Sequence, residues 1–109
     1  MNTSELRELD AKVAERVMGW EHTFELSKDN WRQPDSIYWS DTDDIPPYST
    51  DIKAAWLVLE KMREKSRVQI TYDGMLWICH FFDLSAKASA PIAPEAICLA
   101  ALAAVDAGR

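Results

Sequence analysis

Val68-Gln69-Ile70-Thr71-Tyr72-Asp73-Gly74-Met75-Leu76-Trp77-Ile78-Cys79-His80-Phe81-Phe82 is the stretch that decides the fold of this chain. Two runs rich in β-branched and aromatic residues flank Asp73-Gly74, a dipeptide that supplies the positive φ angles of a tight hairpin. A two-residue turn pairs Tyr72 with Met75 and Ile70 with Trp77. One face then carries Val68, Ile70, Tyr72, Met75, Trp77, Cys79 and Phe81. The other carries Gln69, Thr71, Leu76, Ile78, His80 and Phe82. The second strand is apolar on both faces, so cover is expected on each side. The reading is an antiparallel sheet between helices.

Helical signals lie on both sides of the hairpin. At the start, Asn2 with Glu5 three residues later forms a capping box, and Leu6, Leu9, Val13 and Val17 follow at helical spacing. This predicts a helix over residues 3–18, with Arg7, Glu8, Lys12, Glu15 and Arg16 on a solvated face and Gly19 as the stop. Pro46-Pro47-Tyr48-Ser49-Thr50-Asp51 closes a loop and opens a second helix over residues 50–65. Ser49 or Thr50 is its cap, and Ile52, Ala55, Trp56, Leu59 and Met62 form its core stripe. A third helix over residues 94–105 begins at Pro94, a position tolerant of proline, and has no polar side chain between Ala96 and Val105. Its alanines permit close approach, so a homodimer through this apolar C-terminal helix is one expectation.

At 109 residues there is room for one domain, residues 1–109, with one modest core. The composition is globular: 48% apolar, with five tryptophans and three glycines. No window approaches the ~18 apolar residues of a spanning helix, and the N-terminus lacks the basic start and apolar run of a signal peptide. A cytoplasmic protein is the expectation. The two cysteines, Cys79 and Cys98, each sit in an apolar run and read as buried thiols rather than a disulfide.

The net charge of −6 is concentrated in one segment. Residues 21–51 hold Glu21, Glu25, Asp29, Asp35, Asp41, Asp43, Asp44 and Asp51 against only Lys28 and Arg32, while the rest of the chain is balanced. Within 21–48, an irregular excursion, His22-Thr23-Phe24-Glu25-Leu26 and Ser36-Ile37-Tyr38-Trp39-Ser40 alternate like short strands, with loops between and after them. Direct nucleic-acid binding is disfavoured, because counterion release needs a Lys/Arg surface. Acids interleaved with aromatics suit a basic protein partner instead. Trp31, Asp35, Tyr38, Trp39, Asp41, Asp43 and Asp44 are the candidate partner-binding residues. The bland alternative is a solvated loop whose tryptophans fold back onto the core.

Leu9-Asp10-Ala11-Lys12-Val13-Ala14-Glu15-Arg16-Val17-Met18-Gly19-Trp20, Pro47-Tyr48-Ser49-Thr50-Asp51-Ile52 and Ala93-Pro94-Glu95-Ala96-Ile97-Cys98-Leu99-Ala100-Ala101-Leu102 together resemble the phage ABA sandwich domain family. The resemblance covers both chain ends and the middle and fails over residues 21–46. It implies an α/β/α sandwich, α+β in class, in the order α-(β)-α-β-β-α. It also implies a phage or prophage origin, hence the cytoplasm of a bacterial host. It brings no catalytic residues, the family being one of unassigned function.

The residues themselves assemble no active site. His22 and His80 lack partners at metal-ligand spacing, and Cys79 and His80 point to opposite faces of one strand. Asp41-x-Asp43-Asp44 lacks the glycine and distal glutamate of a calcium loop. Three glycines form no phosphate cradle. No enzyme, cofactor or metal is therefore expected. The leading expectation is a phage accessory protein that binds a host defence protein stoichiometrically, as an anti-CRISPR-like inhibitor would. The alternatives are a sponge for a nucleotide signal, using Arg32 with Trp31 or Trp39, and a structural or regulatory phage module without an immune target.

Overall fold

The fold is seen in a computed structural model that describes residues 2–107. Helix α1, Thr3–Arg16, starts with the anticipated capping box: Asn2 Oδ1 accepts from Glu5 N at 2.9 Å, and the Glu5 carboxylate accepts from Asn2 N. Leu9, Val13, Ala14 and Val17 are buried along one stripe. Gly19, at φ +80°, turns the chain and lets Trp20 N donate to Ala14 O at 2.9 Å. The excursion then forms a hairpin from β1, Glu21–Glu25, and β2, Lys28–Arg32. Its second strand is thus Lys-Asp-Asn-Trp-Arg and not residues 36–40, of which only Ser40 bridges to Trp31.

Helix α2 spans Ile52–Arg63 and is capped by Asp51, whose carboxylate accepts from Lys53 N. Ser49 serves elsewhere, fully buried beneath α1. The buried stripe of α2 is Ala54, Ala55, Val58, Leu59 and Met62. Ile52 and Trp56, expected in the core, are 54% and 51% exposed, because the helix rotates its alanines inward.

Strands β3, Val68–Tyr72, and β4, Trp77–Phe81, pair antiparallel with Tyr72 opposite Trp77 and Ile70 opposite Cys79. The loop is therefore four residues long, not two. The Asp73 carboxylate accepts from Met75 N and Leu76 N at 2.9 and 2.8 Å, and Gly74 takes φ +100°. The register moves by two residues, a full side-chain period, so each residue keeps the face assigned to it. A single 3₁₀ turn, Phe82–Leu84, ends at Ser85 in the left-handed region and leads into β5, Ala86–Ala90, which completes the sheet in the order β3-β4-β5.

Helix α3, Ala93–Ala107, lies across β4 and β5, and α1 and α2 pack on α3. Ala86, Ala88 and Ala90 share a sheet face with Cys79 and Phe81, and these small side chains let the helix approach closely. Phe81, wholly buried, contributes on the order of 2–3 kcal/mol by apolar burial. From Pro94 to Ala104 only Leu99 and Ala103 are not buried. The chain itself covers most of α3, and nothing in the structure supports a homodimer through the C-terminal helix. The opposite sheet face is also unlike the expectation. Gln69, Thr71, Lys87 and Ser89 are exposed and Ile78 and His80 half-buried, and among the described residues no helix is laid over them.

Candidate partner-binding surface

The β1–β2 hairpin turns through Leu26 and Ser27, both at positive φ (54° and 60°), the geometry of a two-residue type I′ turn built without glycine or asparagine. Leu26 is 100% exposed and Phe24 67%. Trp31 is the buried residue of the two strands, and at the surface His22 Nδ1 lies 3.9 Å from Glu15 Oε2 of α1 while Lys28 pairs with Asp41. The Trp31 side chain is 4% exposed, its Nε1 donates to Thr42 Oγ1 at 3.0 Å, and its backbone exchanges two hydrogen bonds with Ser40. The His22 ring stacks on the indole at 4.1 Å, with His22 Nε2 2.7 Å from Asp29 Oδ1. Trp31 is thus a buried anchor, where an exposed contact residue was expected.

The other candidates divide by role. Asp35, Tyr38, Trp39, Asp41, Asp43 and Asp44 are all exposed. Asp44 Oδ2 accepts from Asp41 N at 3.0 Å and helps build the 3₁₀ turn Thr42–Asp44. Asp41 pairs with Lys28, and its hydrogen bond and charge raise the lysine pKa above the ordinary 10.5. Arg32 pairs with Glu21 and lies 4.9 Å over the Trp39 ring. Both cations of the excursion are thereby neutralised in place. Glu25, Asp35 and Asp43 make no ion pair among the described residues. Glu25, Leu26 and Trp39 line one pocket on the hairpin face turned away from α1, whereas Phe24 lies on the other face with Asp29.

A buried ionic clamp positions this surface. Asp10, 1% exposed, accepts from Ser49 N at 2.7 Å and from Arg7 Nη1 at 2.8 Å. Arg7 Nη2 donates to Thr42 O and Ile45 O, both at 3.1 Å. Arg7 is thus half-buried between α1 and the loop rather than solvated. The clue in the sequence is Asp10 standing inside an apolar stripe, three residues from an arginine. A groove of about 450 Å³ between α1 and the hairpin is lined by Arg7, Lys12, Arg16, His22 and Trp31, with Glu8, Glu15 and Asp29 balancing the charge.

Cys79 and Cys98 are free thiols in the core. Burial pushes the Cys79 pKa to about 12 and raises that of Cys98 further. His80 lies against Phe82, ring centroids 4.1 Å apart. Among the described residues no group of three His, Cys, Asp or Glu is placed to hold a metal ion, and no helix is long and apolar enough to cross a membrane.

The family model of the phage ABA sandwich domain matches residues 11–102. The chain belongs to this family. A crystal structure of a phage protein from Bacillus cereus ATCC 14579 is similar to it, with 30% sequence identity and a TM-score of 0.70 over 96% of both chains. No curated protein matches the chain. The span matched by the phage ABA sandwich domain runs straight through residues 21–46. The hairpin and its acidic loop are therefore inside the domain, where the motif-level resemblance stops short of them.

Proposed function

We propose that this member of the phage ABA sandwich family is a phage or prophage accessory protein that works by stoichiometric binding rather than catalysis. Its target in this reading is a host defence protein with a basic surface, such as a CRISPR effector. One observation supports the reading: the hairpin and adjoining loop carry unpaired Glu25, Asp35 and Asp43 together with exposed Leu26, Tyr38 and Trp39, and Glu25, Leu26 and Trp39 line one pocket. Carboxylates steer the chain toward a cationic groove and occupy positions that phosphates would take. Exposed aromatics supply the desolvated anchors on which interface affinity rests.

Asp41 and Asp44 also shape the loop, so the informative variant reverses Glu25, Asp35 and Asp43 to lysine. Phage plating on isogenic hosts, each expressing the chain beside one defence system, is the assay. Wild type is expected to rescue plating against one system, with inhibition saturating near one chain per target. The folded triple variant is expected to lose the rescue. Rescue that survives charge reversal would sink the acidic-surface reading.

A further inference from the structure

Strand β3 is an unprotected sheet edge, and its backbone shows which groups are free. Phe82 N donates to Arg67 O at 3.0 Å and Asp73 N to Leu76 O at 3.1 Å. Hydrogen-bonded pairs alternate along an antiparallel ladder, so Gln69 and Thr71 also exchange bonds with β4. The N–H and C=O of Val68, Ile70 and Tyr72 then point outward, and among the described residues none has a hydrogen-bond partner. Sheet edges are normally blunted with lysine, proline or a bulge. The outer strand β5 follows that rule, with Lys87 inside it and Pro91 just after it. Val-Gln-Ile-Thr-Tyr has no charge, no proline and no bulge.

Beside this edge lies an apolar groove of about 370 Å³ whose walls include Ile52, Trp56, Ile70, Trp77, Ile92 and Ile97. Tyr72 stacks on Trp77 next to it, ring centroids 5.0 Å apart. Ile52, Trp56 and Tyr72 are each about half exposed. At ~200 Å² per large side chain, these three leave on the order of 300 Å² of apolar surface in water. A standard interface buries ~800 Å² per partner, so a large share is present before the rest of β3 is counted.

We propose that the occupant is a second copy of this chain, joined through β3 in an antiparallel, two-fold pairing centred on Ile70. Val68 then faces Tyr72 of the other copy, Ile70 faces Ile70, and Gln69 faces Thr71. All six free backbone groups find partners in the reciprocal strand, and the apolar face of each β3 stays on the helical side. The β-branched and aromatic pairs add cross-strand contacts. The strand carries no charge, so a copy bearing the same net charge of −6 meets no repulsion there.

The pairing is tested by light scattering after gel filtration, with folding monitored by circular dichroism. At about 100 μM, well above a micromolar Kd, wild type is expected at twice the 12.4 kDa chain mass. Gln69→Lys with Thr71→Lys places lysines opposite one another at exposed positions, and the expected mass falls two-fold. Gln69→Lys with Thr71→Glu makes the same positions complementary and is expected to restore the dimer. In wild type, the amides of Val68, Ile70 and Tyr72 should exchange slowly. A wild-type monomer, a dimer indifferent to the two lysines, or a lysine–glutamate variant that stays monomeric would each overturn the pairing.

Discussion

Two hairpins of the molecule, β1–β2 and β3–β4, have opposite character. The first, β1–β2, closes through a tight turn that its residues disfavour, projects acids and apolar side chains into water, and hangs on Trp31. The second, β3–β4, turns through an Asp-Gly loop suited to its geometry and lies under α3 with Phe81 and Cys79 wholly buried. Tertiary packing holds the second, whereas local pairing, one buried anchor and surface ion pairs to Glu15 and Asp41 hold the first. The difference teaches where this fold can change without losing itself: binding surfaces are drawn from segments whose local opening costs little.

The comparison can be broken most forcefully at Phe81. Phe81→Ala is expected to cost about 3–5 kcal/mol and to lower the urea midpoint of the whole domain. Trp31→Ala should act on one hairpin only. Amides of β1 and β2 are expected to lose exchange protection while those of β4 and α3 keep theirs, and uniform loss would erase the distinction. Leu26→Asn with Ser27→Gly should tighten the first hairpin, since asparagine and glycine tolerate the left-handed region that leucine and serine disfavour, a gain of about 1 kcal/mol in the thermal midpoint analysis. The smallest effect is at Asp73, whose carboxyl is held below the ordinary 3.8 by Leu76 N–H and then Met75 N–H. A lowered pKa stabilises the loop fully above 3.8 and loses that contribution as pH falls through the folded value. Faster exchange of the Met75 and Leu76 amides is expected only in that acid window, with the β1–β2 turn unaffected.

Much of this was legible in residues. The α1 cap, the faces of β3 and β4 and the apolar character of α3 follow from spacing, and the faces survived a wrong loop length because the slip was even. Strand β5 was invisible because Ala-Lys-Ala-Ser-Ala has weak strand propensity and is held by the approach of α3. Strand β2 was hidden in Lys-Asp-Asn, and the β1–β2 turn carries none of the usual turn residues. In α2 the large Ile52 and Trp56 suggested the core stripe, yet the alanines went inward. At the surface, composition marked the acidic-aromatic segment, but only the paired geometry separates buried Trp31 from exposed Tyr38 and Trp39.

The two thiols give the protein an internal clock. Cys79 in β4 and Cys98 in α3 lie wholly out of solvent with their ionisation suppressed, so a thiolate-seeking reagent can reach them only when strand and helix separate. The labelling rate therefore counts openings of the body and is blind to the fraying of the first hairpin. A protease aimed at Leu26 would count the reverse, and the ratio of the two rates measures how independently the halves of one small domain breathe.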